Sequence, residues 1–62
     1  MKYKVGELIT DERDGFTGEM GIVVGIDYDE GHSYYSVYWI TGHFAGKNSQ
    51  EPCEYFDTVE QN

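Results

Sequence analysis

The feature that most restricts how this chain can fold is its short alternation of apolar and polar residues, broken about every eight to twelve residues by glycine, aspartate or asparagine. No stretch keeps apolar residues at i, i+3, i+4 and i+7 long enough to build a substantial helix. The pattern predicts an all-β protein. With 62 residues there is room for one core, so residues 1–62 are expected to form a single domain. Six tyrosines, three phenylalanines and Trp39 supply the large buried areas that let so short a chain close that core.

The first strand is expected at about Glu7 to Asp11, entered through Val5-Gly6, with Leu8 and Ile9 on opposite faces. A polar loop, Asp11-Glu12-Arg13-Asp14-Gly15, follows, and Thr17-Gly18 is a second turn signal. Glu19 to Asp27 is the strongest strand. Its expected core face is Ile22, Val24 and Ile26, with Val23 and Gly25 opposite, and Gly25 marks a bend or bulge. Tyr28 to His32 reads as a hairpin loop. Ser33 to Ile40 returns as the third strand, with Tyr35, Val37 and Trp39 on the core face and Tyr34, Ser36, Tyr38 and Ile40 on the other. Apolar bulk on both faces places this strand centrally. Phe44 to Ser49 is expected to be a fourth strand interrupted by Gly46. Glu51 to Tyr55 is expected to be one turn of 3₁₀ or α helix, because proline suits a first helical position and acids favour a helix N-terminus. Phe56 to Val59 closes the list as a fifth strand.

The segment Gly15-Phe16-Thr17-Gly18-Glu19-Met20-Gly21-Ile22-Val23-Val24-Gly25-Ile26 resembles the KOW motif of SH3-like barrels, with its Gly-aromatic-x-Gly turn leading to Gly21, Val23 and Ile26. The opening Val5 to Ile9, the central Tyr35 to Trp39 and the late Glu51 to Phe56 also look like small SH3-like proteins of tailed phages. The resemblance implies a five-stranded, partly open SH3-like barrel with one short helical turn before the last strand. It also implies contact with RNA, ribosomal protein or polymerase, as in KOW-type domains. Nucleic-acid-binding members often carry Lys or Arg between the glycines, where this chain has Thr17, Glu19 and Met20. That departure favours a protein partner.

Charge points the same way. Twelve acids against Lys2, Lys4, Arg13 and Lys47 give a net charge of -8, which repels phosphate backbones unless the cations converge. The acids cluster as Asp11, Glu12, Asp14 and Glu19 around the first loop and as Asp27, Asp29 and Glu30 around the second. As a plain solvated surface they aid solubility. In a sharper reading they meet a basic partner or imitate nucleic acid in a host protein's binding groove. The rings of Tyr34, Tyr38, Phe44, Tyr55 and Phe56 are candidates for an exposed contact platform, against the plainer alternative that they finish a small core.

Chemistry is harder to find. Asp27-Tyr28-Asp29-Glu30-Gly31 superficially resembles a calcium loop, but Gly31 occupies a ligand position and Tyr38 stands where the closing glutamate belongs. His32 and His43 have no spacing that sets them on one metal, and no metal or cofactor is expected. Cys53 is the sole cysteine, so neither an internal disulfide nor a thiolate zinc site can form. Glu51 and Glu54 oppose its ionisation, and it reads as a buried filler. No catalytic residue is assigned, and no enzyme is expected.

The start of the chain has no apolar leader segment and nowhere do 18 apolar residues run together, so a cytosolic, membrane-free setting is expected. The expected role is a non-enzymatic interaction module, in the phage reading one that binds a host protein. Its contacts are expected at Tyr34, Tyr38, Phe44, Tyr55, Asp11, Glu12, Asp14, Asp29 and Glu30. A structural or assembly protein acting by self-association, an acidic nucleic-acid mimic and direct nucleic-acid binding stand as alternatives.

Overall fold

The computed structural model describes residues 2–11 and 18–58. They form a four-stranded antiparallel sheet of β1 (Leu8–Asp11), β2 (Glu19–Asp29), β3 (His32–Trp39) and β4 (Asn48–Pro52), followed by one helix, α1 (Cys53–Thr58). The strands pair in chain order, β1-β2-β3-β4, as an open meander with β1 and β4 at its edges. The architecture is thus mostly β.

The β2–β3 hairpin is the backbone of the fold. Its two-residue loop, Glu30-Gly31, has positive φ at both positions (50° and 83°), the type I′ geometry whose twist matches that of the flanking strands. Asp29 pairs with His32 beside it, and the ladder runs to Gly21 opposite Trp39. Along this ladder Tyr35, Val37 and Trp39 all face inward and are buried, as the alternation predicts.

The core face of β2 is the reverse of the expectation. Val23 is fully buried, Ile22 is half-buried and Val24 is exposed. Neighbours decide this: Val23 lies opposite Val37, so it must share that residue's face. The register shifts between Val23 and Gly25, leaving Val24 as the extra residue of a β-bulge. That insertion changes the parity of the strand. Ile26, opposite Tyr35, therefore returns to the inner side and packs against the core as expected.

Gly21 is required by the core. A Cβ there would sit 2.6 Å from Val37 Cγ1 and 2.8 Å from Trp39 Cε3, so the absent side chain makes the space the indole fills. The Trp39 indole N–H donates to Ser49 Oγ (2.8 Å), and that hydroxyl donates to the Glu51 carboxylate (2.6 Å). The largest core ring is thereby tied to the edge strand.

Other boundaries differ from the sequence reading: β2 runs on to Asp29 and β3 spans His32–Trp39, so the loop expected at Tyr28 to His32 shrinks to Glu30-Gly31. β1 begins at Leu8, because Glu7 belongs to the preceding turn, where its N–H donates to Lys4 O (3.0 Å) and its carboxylate accepts from Lys4 N (2.8 Å). Phe44 to Lys47 is not strand. Residues 41–46 form a looped excursion stitched by Ala45 N to Gly42 O, Gly46 N to Trp39 O and Lys47 N to Phe44 O, and pairing with β3 starts at Asn48. Pro52 ends β4 and the helix follows it, so the helical turn expected at Glu51 to Tyr55 lies later, and Phe56 to Thr58 are helical where a fifth strand was expected. Val59 lies outside the described residues. The cause is the spacing of Cys53, Phe56 and Asp57, three and four residues apart, which sets all three on one helix face. Cys53 and Phe56 join the core with Ile9, Val23, Tyr35, Val37 and Trp39.

Candidate functional site

The sheet has a covered face and an open one. On the covered face α1 and the segment before β1 lie over Tyr35. The Tyr35 hydroxyl donates to Asp57 Oδ1 and accepts from Tyr3 N (3.1 Å), and Lys2 N donates to the same carboxylate oxygen (3.1 Å). Tyr3 and Phe56 each meet the Tyr35 ring edge to face, with centroids 5.6 and 6.5 Å away. Burial, then the bond to Asp57, push the Tyr35 hydroxyl up to about 12 from an ordinary 10.0. Burial and the Asp57 charge also raise the Cys53 thiol, which keeps it protonated and suits a packing role.

On the open face no element of the described residues lies over the sheet. Leu8 lies opposite Ile22, and Ile22 opposite Tyr38, making one cross-strand row. Leu8 is 59 % exposed and Tyr38 42 %. Met20 and Ile40 continue the apolar surface, joined by the bond from Ile40 N to Met20 O (2.8 Å), and the bulged Val24 is exposed as well. Toward the hairpin the same face turns polar. Asp27 Oδ2 there accepts from Ser36 Oγ (2.8 Å) and Gln50 Nε2 (2.9 Å), linking three strands.

This geometry divides the expected aromatic platform. Tyr38 sits in the apolar row, while Tyr34 is half-buried further along the same face, opposite Pro52. Phe44 is exposed in the loop before β4, Tyr55 is exposed on α1 with its ring edge-on to Phe56 at 5.0 Å, and Phe56 itself is buried in the core. Leu8, Met20 and Ile40 were not singled out by sequence reasoning. The alternation sets Leu8 and Ile9 on opposite faces without choosing between them, and only pairing with β2 brings Leu8 beside Ile22 and Tyr38.

The acidic set divides too. Asp11 and Glu19 are cross-strand partners and both are buried, so neither belongs to an exposed acidic rim. Glu19 Oε2 accepts the His43 N–H (3.3 Å), which ties the loop before β4 to the sheet. Glu12 and Asp14 lie outside the described residues. Asp27, Asp29 and Glu30 are exposed at the hairpin end. The stretch forms a hairpin turn, as its spacing predicts, and among the described residues no three His, Cys, Asp or Glu side chains gather as a metal-holding group.

A separate open groove of about 730 Å³ lies where β4 ends and α1 begins. His32 and Tyr34 of β3 form one wall, Tyr55 and Asp57 of α1 the other, with Pro52 and Cys53 between them. Among the described residues no helix is long and apolar enough to cross a membrane. No family model, curated protein or solved structure matches the chain.

Proposed function

We propose that this chain is a non-enzymatic binding module that docks a protein partner on the open face of its sheet, through Leu8, Met20, Ile22, Tyr38 and Ile40. The carrying observation is the exposure of an apolar row three strands wide on a small acidic domain. Monomeric soluble proteins rarely leave contiguous apolar surface of this kind bare unless it is a contact site. Outward strand positions carry Asp27 and Asp29 and no Lys or Arg, so a partner with cationic groups around an apolar centre suits this face.

The SH3-like, KOW-like resemblance supports a contact role. The likeness to small phage proteins makes a host protein the natural partner class. Self-assembly through the same face is the competing reading, and a charge of -8 on each chain opposes it. Burial of Asp11 and Glu19 thins the acidic array that nucleic-acid mimicry would need.

A photo-crosslinking amino acid at Tyr38, compared with the same group at the exposed Tyr28, tests the docking face. The expected result in cell extract is a discrete crosslinked protein from position 38 alone, lost when Leu8→Asp is added. Equal products from both positions, or products indifferent to Leu8→Asp, would refute it.

A further inference from the structure

We propose that the groove between β3 and α1 is a second, distinct site, which binds an organic cation: an ammonium or guanidinium group. Its volume of about 730 Å³ lies in the range of ligand-sized clefts. The chemistry of its lining is selective. Tyr34, Tyr55 and His32 bring aromatic rings to the lining, and tyrosine rings attract cations through their negative π surfaces. Glu54 and Asp57 supply carboxylates, and no Lys or Arg lines the groove. An anion would meet two like charges there, and a purely apolar guest would strip water from those carboxylates with nothing in return.

Asp57 is held in place before any ligand arrives. Tyr35 and the backbone of Lys2 both donate to its Oδ1, and a carboxylate retains acceptor capacity beyond two such bonds. The adjoining hairpin tip adds Asp29 and Glu30, so the local field as well as the overall charge draws cations toward this end of the sheet. Cys53 and Pro52 complete the lining between the walls. The groove lies beyond the Asp27-Ser36-Gln50 network from the apolar row, so this site does not depend on the docking role of the open face.

An organic cation reaches such a groove either as a free small molecule or as a Lys or Arg side chain, and two probes separate these sources. Tetramethylammonium and an acetylated, amidated Gly-Arg-Gly peptide would each be titrated into the full chain by NMR, with sodium chloride at matched ionic strength as the blank. The expected result is saturable shift changes centred on His32, Tyr34, Tyr55 and Asp57, with a dissociation constant on the order of 1 mM for the better probe. Tighter binding of the peptide assigns the site to a side chain of a protein, and tighter binding of tetramethylammonium to a free amine. Glu54→Gln, at an exposed position, should weaken binding roughly tenfold, and Tyr55→Leu roughly threefold to tenfold, with unchanged Trp39 fluorescence reporting an intact fold. The proposal is overturned if neither probe shifts these residues beyond the sodium blank. Equal changes at Asp29 and Glu30 without saturation, which mark a diffuse ion atmosphere, would overturn it as well.

Discussion

The inner and outer faces of this sheet are built from adjacent residues of the same strands, yet they have opposite fates. The row Ile9, Gly21, Trp39 is buried, and the row directly beside it, Leu8, Ile22, Tyr38, is open to solvent or half-buried. Both rows are rich in apolar atoms. What separates them is the cover: α1 and the chain around Tyr3 close over one face, and no described element closes over the other. Hydrophobicity alone therefore does not mark the core of this protein. The lesson bears on function as well as packing, because apolar area that stability does not use is what the proposed docking role requires.

The strongest way to break this contrast is to truncate one ring on each face. Trp39→Ala should lower stability by about 3 to 5 kcal/mol, enough to unfold much of so small a domain. Tyr38→Ala, one residue away, should lower it by less than about 1 kcal/mol. Urea denaturation followed by far-UV circular dichroism measures both, and equal costs would mean that the faces are wrongly assigned.

A side chain at Gly21 attacks the inner row from beneath. Gly21→Ala places its Cβ within 2.6 Å of Val37 and 2.8 Å of Trp39, and the overpacking should cost about 1 to 3 kcal/mol. A shift of the Trp39 emission maximum should accompany it. Gly25, whose added Cβ would meet nothing closer than 3.6 Å, is the matched control and should tolerate alanine far better.

The cover can be probed by pH. Tyr35 is held protonated in the folded state, with its hydroxyl raised to about 12 against 10.0 in the unfolded chain. A raised folded value means its contribution is complete below pH 10 and is lost as pH climbs from about 10 toward 12. Urea midpoints measured across that window should fall. Tyr35→Phe should remove this part of the decline, and near neutral pH it should cost roughly 1 kcal/mol by deleting the bonds to Asp57 and Tyr3 N.

The smallest effect belongs to the open face. Leu8→Asp should change stability by no more than about 0.5 kcal/mol, because the residue is mostly exposed. Its consequence should appear in partner crosslinking instead. A large loss of stability would show that Leu8 works for the core.

Much of the hairpin is legible in the sequence. The two-residue period of Tyr35, Val37 and Trp39 put the indole inside, and the glycine after Glu30 marked the turn. The face of β2 was not legible, since Ile22, Val23 and Val24 are all apolar and periodicity cannot choose among them. Phe56 to Thr58 misled for a related reason: Phe56 to Val59 alternates like a strand, while the contact of Cys53, Phe56 and Asp57 with one face becomes visible only against Tyr35. The candidate site was partly legible. Tyr38 was named from its parity, but its neighbours Leu8 and Met20 lie far from it in sequence and depend on register. Asp11 and Glu19 read as loop acids, and strand pairing turned both inward.

By itself, the sequence determined that this chain is mostly β, that its middle folds back at Gly31 and that Trp39 lies in the core, because alternation and turn chemistry act between near neighbours. Tertiary structure alone decided which side of β2 faces inward, that the helix begun at Cys53 continues through residues 56–58, and that Leu8, Ile22 and Tyr38 meet on an open surface. Those outcomes depend on register, on the single inserted residue of a bulge and on which face receives a cover, all of which arise from contacts between distant segments.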